Sequence, residues 1–125
     1  MSWCFDDEKV EHSQNILSLF KQMKSVVPSI WPLEISNVLR VAERQERITV
    51  SDSDMFLELI NSLPIDIDAG LNTLFCRQII KITRKHVISS YDAAYLELAL
   101  RYDIPLASFD KGLCLIAKKE GVRIL

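Results

Sequence analysis

Four short apolar runs, VVPSIW, PIDID, IPLASF and VRIL, punctuate a chain whose longer stretches repeat apolar residues at the 3.6-residue period of a helix. Strand and helix in alternation is the pattern of an α/β domain with a mostly parallel sheet, because parallel strands need a crossover long enough to hold a helix. Right-handed crossovers then place helices on both faces, a three-layer α/β/α sandwich. At 125 residues the chain suits one domain, residues 1–125, with a core that needs neither disulfide nor structural metal.

The helical stretches are read from their faces and stops. From about Val10 to Val26, Ile16, Leu19, Phe20 and Met23 share a face, and a first amphipathic helix is expected. After VVPSIW, Pro32 suits the first position of PLEISNVLRVAERQER, with Ile35, Val38, Leu39 and Ala42 as its stripe. SDSDMFLELINSL offers serine and aspartate caps, then Phe56, Leu59, Ile60 and Leu63 on one side until Pro64. Leu71, Leu74, Phe75, Ile79 and Ile82 mark a further helix, HVIS connects it to SSYDAAYLELALRYD, and DKGLCLIAKKEG stops at a glycine.

A hydrophobic fraction of 49% with three glycines and four prolines excludes a disordered or low-complexity chain. With no secretory leader and no apolar run long enough to span a bilayer, a reducing cytoplasm is the expected compartment and a membrane is not. Cys4, Cys76 and Cys114 lack zinc-ligand spacing, and His12 and His86 stand far apart. Buried thiols and surface imidazoles are therefore expected, not a zinc site or a Cys/His pair. A net charge of −2 gives no bulk attraction to nucleic acid. The two basic groups, Arg40, Arg44 and Arg47, then Lys81, Arg84, Lys85 and His86, fall at helix ends, where cations complement the dipole.

Three acids share a location. Glu34 follows SIW, Asp92 opens YDAAYLELA and Asp110 follows LASF, so each falls in the first turn of an expected helix. For Glu34 and Asp110 a strand directly precedes, which puts both at the carboxyl edge of a parallel sheet, where ligands of open α/β folds collect. Taken singly, such a carboxylate caps free N–H groups, and Ser89 with Asp92 fits a capping box. Taken together, the three can converge on Mg²⁺ or Mn²⁺, which prefer carboxylate oxygens and retained water.

WPLEISNVL, SSYDAAYLELALRYDIPLASFDKGLCLIAKKEGVRIL and the opening SWCFDDE together resemble a PIN domain of the VapC type, the toxin ribonuclease of bacterial toxin–antitoxin pairs. The pair YDAAYLELA and PLASFDKGL carries most of the resemblance, and SIWPLEISNVL the next share. The resemblance implies an endoribonuclease dependent on Mg²⁺ or Mn²⁺, with RNA as substrate, a small antitoxin protein as partner and a homodimer as assembly. It further implies that Glu34, Asp92 and Asp110 are the metal ligands, with Ser108 holding the carboxylates or a metal water by hydrogen bonds. A metal-activated hydroxide would attack phosphorus, and Arg40 or Lys111 would contact phosphate if either is more than a solvated charge.

The family pattern opens with a hydrophobic strand ending in aspartate, and MSWCFDDEKV matches the segment that follows it. The first central strand and its acid are thus expected to be missing, Met1 to be an internal start, and nuclease activity to be weak or absent. The alternative is a catalytically inactive PIN-like protein that dimerises or binds an antitoxin.

Overall fold

The structure is a computed structural model that describes residues 24–70 and 72–125. Among these, β1 (Ser25–Val27) and β2 (Ile65–Ile67) pair in parallel, with Val26 opposite Asp66. Two helices form the crossover, α1 (Trp31–Arg44) and α2 (Val50–Asn61). After β2 come α3 (Thr73–His86), α4 (Ser90–Tyr102) and α5 (Lys111–Lys119). The described residues thus form an α/β fold with a small parallel sheet and five helices, as the alternation of apolar runs requires.

The strands are shorter than expected. Ser25 and Val26, read as the end of a first helix, belong to β1 and Lys24 before them is not helical, while residues 10–23 of that reading, Leu71, Cys4 and His12 lie outside the described residues. IPLASF and VRIL meet at a single parallel bridge, Leu106 to Ile124, where the Leu106 N–H donates to Arg123 O at 2.8 Å and the Leu125 N–H to Leu106 O at 2.9 Å. The ladder does not continue beyond this bridge among the described residues, and residues 107–110 carry the chain to α5 without regular structure.

Local chemistry accounts for the helix ends. Trp31 and Pro32 open α1, where a missing N–H costs nothing because first-turn donors have no intrahelical acceptor. The cap of α2 is Thr49 and not the serines and aspartates of SDSD: its Oγ1 accepts from the Asp52 N–H, and Asp52 Oδ2 accepts from the Thr49 N–H. This reciprocal pair moves the helix start back to Val50 and holds the Asp52 carboxyl below its usual value. At the other end of α5, Val122 N–H reaches Ala117 O and Gly121 N–H reaches Lys118 O, with Gly121 at φ 82°. The same two-bond closure ends α1 at Glu46 and α4 at Asp103, both left-handed without glycine.

The core is organised around α4, which buries Ala93, Ala94, Leu96, Glu97, Leu98 and Ala99 and so is covered on nearly every side. Leu96 and Ala99 pack with Leu106, Leu113, Ala117 and Val122. Ala93 and Ala94 meet Ile79 of α3, their small side chains allowing the two helices to approach closely. A third cluster, Trp31, Ile35, Leu39 and Ile60, fastens α1 to α2 over the sheet. Tyr95 borders both the first and the third of these groups, so it sits at the seam between α4 and the crossover. Leu74, read as part of the buried face of α3, is instead exposed.

Candidate active site

Each functional side chain is positioned by a chain segment that turns from extended backbone into a helix. Glu34 stands in the first turn of α1, beyond β1. Asp92 stands in the first turn of α4, where the Ser89 hydroxyl accepts from its backbone N–H at 3.1 Å. Asp110 is the N-cap of α5. Three helix N-termini therefore border one region, and the positive end of a helix dipole favours anions.

That region is a cavity of about 390 Å³, and Glu34, Asp92, Ser108 and Asp110 all line it, together with Trp31 and Tyr95. Residues spread over more than half the chain are thus brought together. Arg40 and Lys111 are not among the cavity residues, and Arg40 lies on the exposed side of α1, 3.9 Å from Glu43.

The carboxylates differ in how far they are committed. Tyr95 donates its hydroxyl to Glu34 Oε1 at 2.5 Å, joining α4 to α1. Asp110 Oδ1 accepts from the Leu113 N–H at 2.9 Å, the capping role that its position alone would suggest. Ser108 Oγ accepts from the Asp110 N–H at 3.0 Å, closing the turn from the bridge strand into α5. Among the described residues no hydrogen bond or ion pair engages the Asp92 carboxylate, so the expected capping box with Ser89 is only half made. Burial, then the bond to Glu34, then the negative charges of Glu34 and Asp92 push the Tyr95 phenol far above its usual value, and it keeps its proton.

Tyr95 is the residue that a reading of acids alone passes over. The available signal is a tyrosine three positions after Asp92, hence on the same helix face, amid alanines and leucines where a buried hydroxyl needs an acceptor. The thiols and imidazoles also differ from expectation. Cys76 is exposed and Cys114 half-buried, its thiol pushed up by burial and then by Asp110. His86 is no surface imidazole: its side chain is 10% exposed and Nε2 lies 2.6 Å from Glu120 Oε1, tying α3 to the end of α5.

Among the described residues no three acidic, histidine or cysteine side chains lie close enough to form a ready-made metal cage. The donor set fits a looser arrangement, in which Mg²⁺ or Mn²⁺ takes one or two carboxylates and fills its other positions with water and phosphate oxygen. Hard carboxylate oxygens suit either ion, and among the described residues no thiol or imidazole lines the cavity; the Cys114 thiol donates to Ser108 O at 3.5 Å. No helix among the described residues is long and apolar enough to cross a membrane.

Comparison with protein families matches the chain to the PIN domain over residues 2–119. Neither the curated proteins nor the solved structures returned a match.

Proposed function

The chain belongs to the PIN domain family, whose members are in general divalent-metal-dependent nucleases, and from that premise we propose an endoribonuclease of the VapC toxin type. The observation that supports this reading is the meeting of Glu34, Asp92, Ser108 and Asp110, from three separate helix starts, in one cavity. RNA is the proposed substrate, Mg²⁺ or Mn²⁺ the cation, a small antitoxin protein the partner, a homodimer the assembly and the cytoplasm the setting.

Glu34 and Asp92 would hold the cation, with Asp110 closing the far side through the oxygen not used on Leu113. When bound, the cation neutralises phosphate charge and acidifies water for attack on phosphorus. The chain's own share is to orient and to exclude. The three helix N-termini favour the phosphate anion, and Ser108 presents a hydroxyl beside Asp110. Trp31, Leu98 and Leu106 give the cavity an apolar lining, beside which charges are screened less than in bulk water. Because Asp110 spends one oxygen on the Leu113 N–H, only its other oxygen would be left to face the cation.

Cleavage of a fluorescent RNA with Mn²⁺, comparing the wild-type chain and Asp92→Asn, tests the reading. Asp92→Asn should abolish metal-dependent cleavage, and activity that survives it would remove Asp92 from the site. A wild-type chain that binds Mn²⁺ but leaves a broad set of RNAs intact would instead favour a non-cleaving antitoxin binder.

A further inference from the structure

We propose that Tyr95 is a positioning residue for the cation site, its hydroxyl locking Glu34 so that the other carboxylate oxygen is presented beside Asp92. The inference rests on the reading of the cavity as a cation-dependent nuclease site. The bond from Tyr95 Oη to Glu34 Oε1 spans 61 positions and joins α4 to α1 at the cavity wall. Glu34 has three side-chain torsions and is otherwise unrestrained, since no second hydrogen bond or ion pair holds its carboxylate among the described residues. Tyr95, in contrast, is fixed: its ring is packed between the Leu96–Val122 cluster and the Trp31–Ile60 cluster. A rigid donor thus immobilises a flexible acceptor. One oxygen of Glu34 faces the phenol, which leaves Oε2 for a cation. Asp92 lies three residues before Tyr95 on the same face of α4, so a single helix both supplies one carboxylate and orients the other. Preorganisation of this kind spares the cation the entropy of ordering its own ligand.

The test is Mn²⁺ binding by the full chain, followed by loss of the free-ion electron paramagnetic resonance signal, with no RNA present. Tyr95→Phe removes the hydroxyl and keeps the ring contacts, and should weaken Mn²⁺ binding about tenfold while the thermal transition stays cooperative. The double variant Tyr95→Phe/Glu34→Gln should bind no more weakly than Glu34→Gln alone, because both changes act through one carboxylate. In cleavage assays the Tyr95→Phe loss should be recovered at saturating Mn²⁺, appearing in the metal dependence and not in kcat. Wild-type affinity in Tyr95→Phe, with Asp92→Asn weakened, overturns the positioning role and leaves the cavity reading standing. Absence of Mn²⁺ binding by the wild-type chain overturns both.

Discussion

Arg101 grips Asp68 through two parallel bonds, Nη1 to Oδ1 at 3.1 Å and Nη2 to Oδ2 at 2.6 Å, and so ties the last turn of α4 to the end of β2. The same guanidinium reaches back one helical turn to Glu97, with Nε 2.7 Å from Oε1, and Tyr102 Oη adds a bond to Asp68 at 3.1 Å. Both carboxylate side chains are about nine-tenths buried, at 10% and 11% exposure, while Arg101 keeps 38%. Arg101→Ala strands two buried acids and should cost about 2 kcal/mol, less than a fully buried pair because solvent screens the guanidinium. Arg101→Lys should recover little, since a point charge cannot make the forked contacts. Urea unfolding of the three chains measures both values.

The same contact gives the stability a pH dependence of known sign. Arg101 holds the Asp68 carboxyl below its usual value, so on acidification the unfolded chain takes up the proton first. The contribution is therefore complete above about pH 4, the ordinary range of an aspartate, and drains away as pH falls through the lower folded value. Lys85 and then His86 depress Glu120 in the same direction. The stability gap between wild type and Asp68→Asn should shrink on titration below about pH 4, and a gap that widens there contradicts the assignment.

Val87 ends α3 in the left-handed region, at φ 52° and ψ 53°, with its side chain 90% exposed. A β-branched residue is disfavoured in that conformation, and nothing in its burial offsets the strain. Its backbone N–H bond to Thr83 O at 2.9 Å is kept by any residue except proline. Val87→Gly should stabilise the fold by about 1 kcal/mol, read as a raised thermal midpoint.

Leu96 is fully buried at the centre of α4, among Ala99, Leu106, Leu113 and Ala117. Leu96→Ala should cost about 3 kcal/mol, combining lost burial with the cavity left between α4 and α5. Chemical denaturation should show this as a lower midpoint with an unchanged slope.

Asp110 has two separable jobs. Asp110→Asn preserves an oxygen for the Leu113 N–H and should leave stability within about 0.5 kcal/mol, whereas Asp110→Ala loses the cap and about 1 kcal/mol. If Asp110 also serves the cation, both variants should lose metal-dependent cleavage to a similar extent. Cleavage lost only in Asp110→Ala would confine the residue to its capping role.

Helices, their stops and the α/β class are written locally and could be read along the chain. Pro32 and the Ile35–Leu39–Ala42 stripe mark α1, Gly121 closes α5, and each signal acts within a turn or two of itself. The position of Glu34, Asp92 and Asp110 at helix starts was legible for the same reason. Pairing is not local: IPLASF and VRIL have strand composition, yet among the described residues a single bridge, Leu106 to Ile124, joins them. The cap of α2, by contrast, is local: Thr49 Oγ1 and Asp52 Oδ2 accept from each other's backbone N–H three residues apart. Sequence by itself determined the α/β class, most of the helix starts and three candidate acids. Only the tertiary structure decided that these acids share one cavity and that Tyr95 holds Glu34, since a contact across 61 residues depends on how α1 and α4 pack.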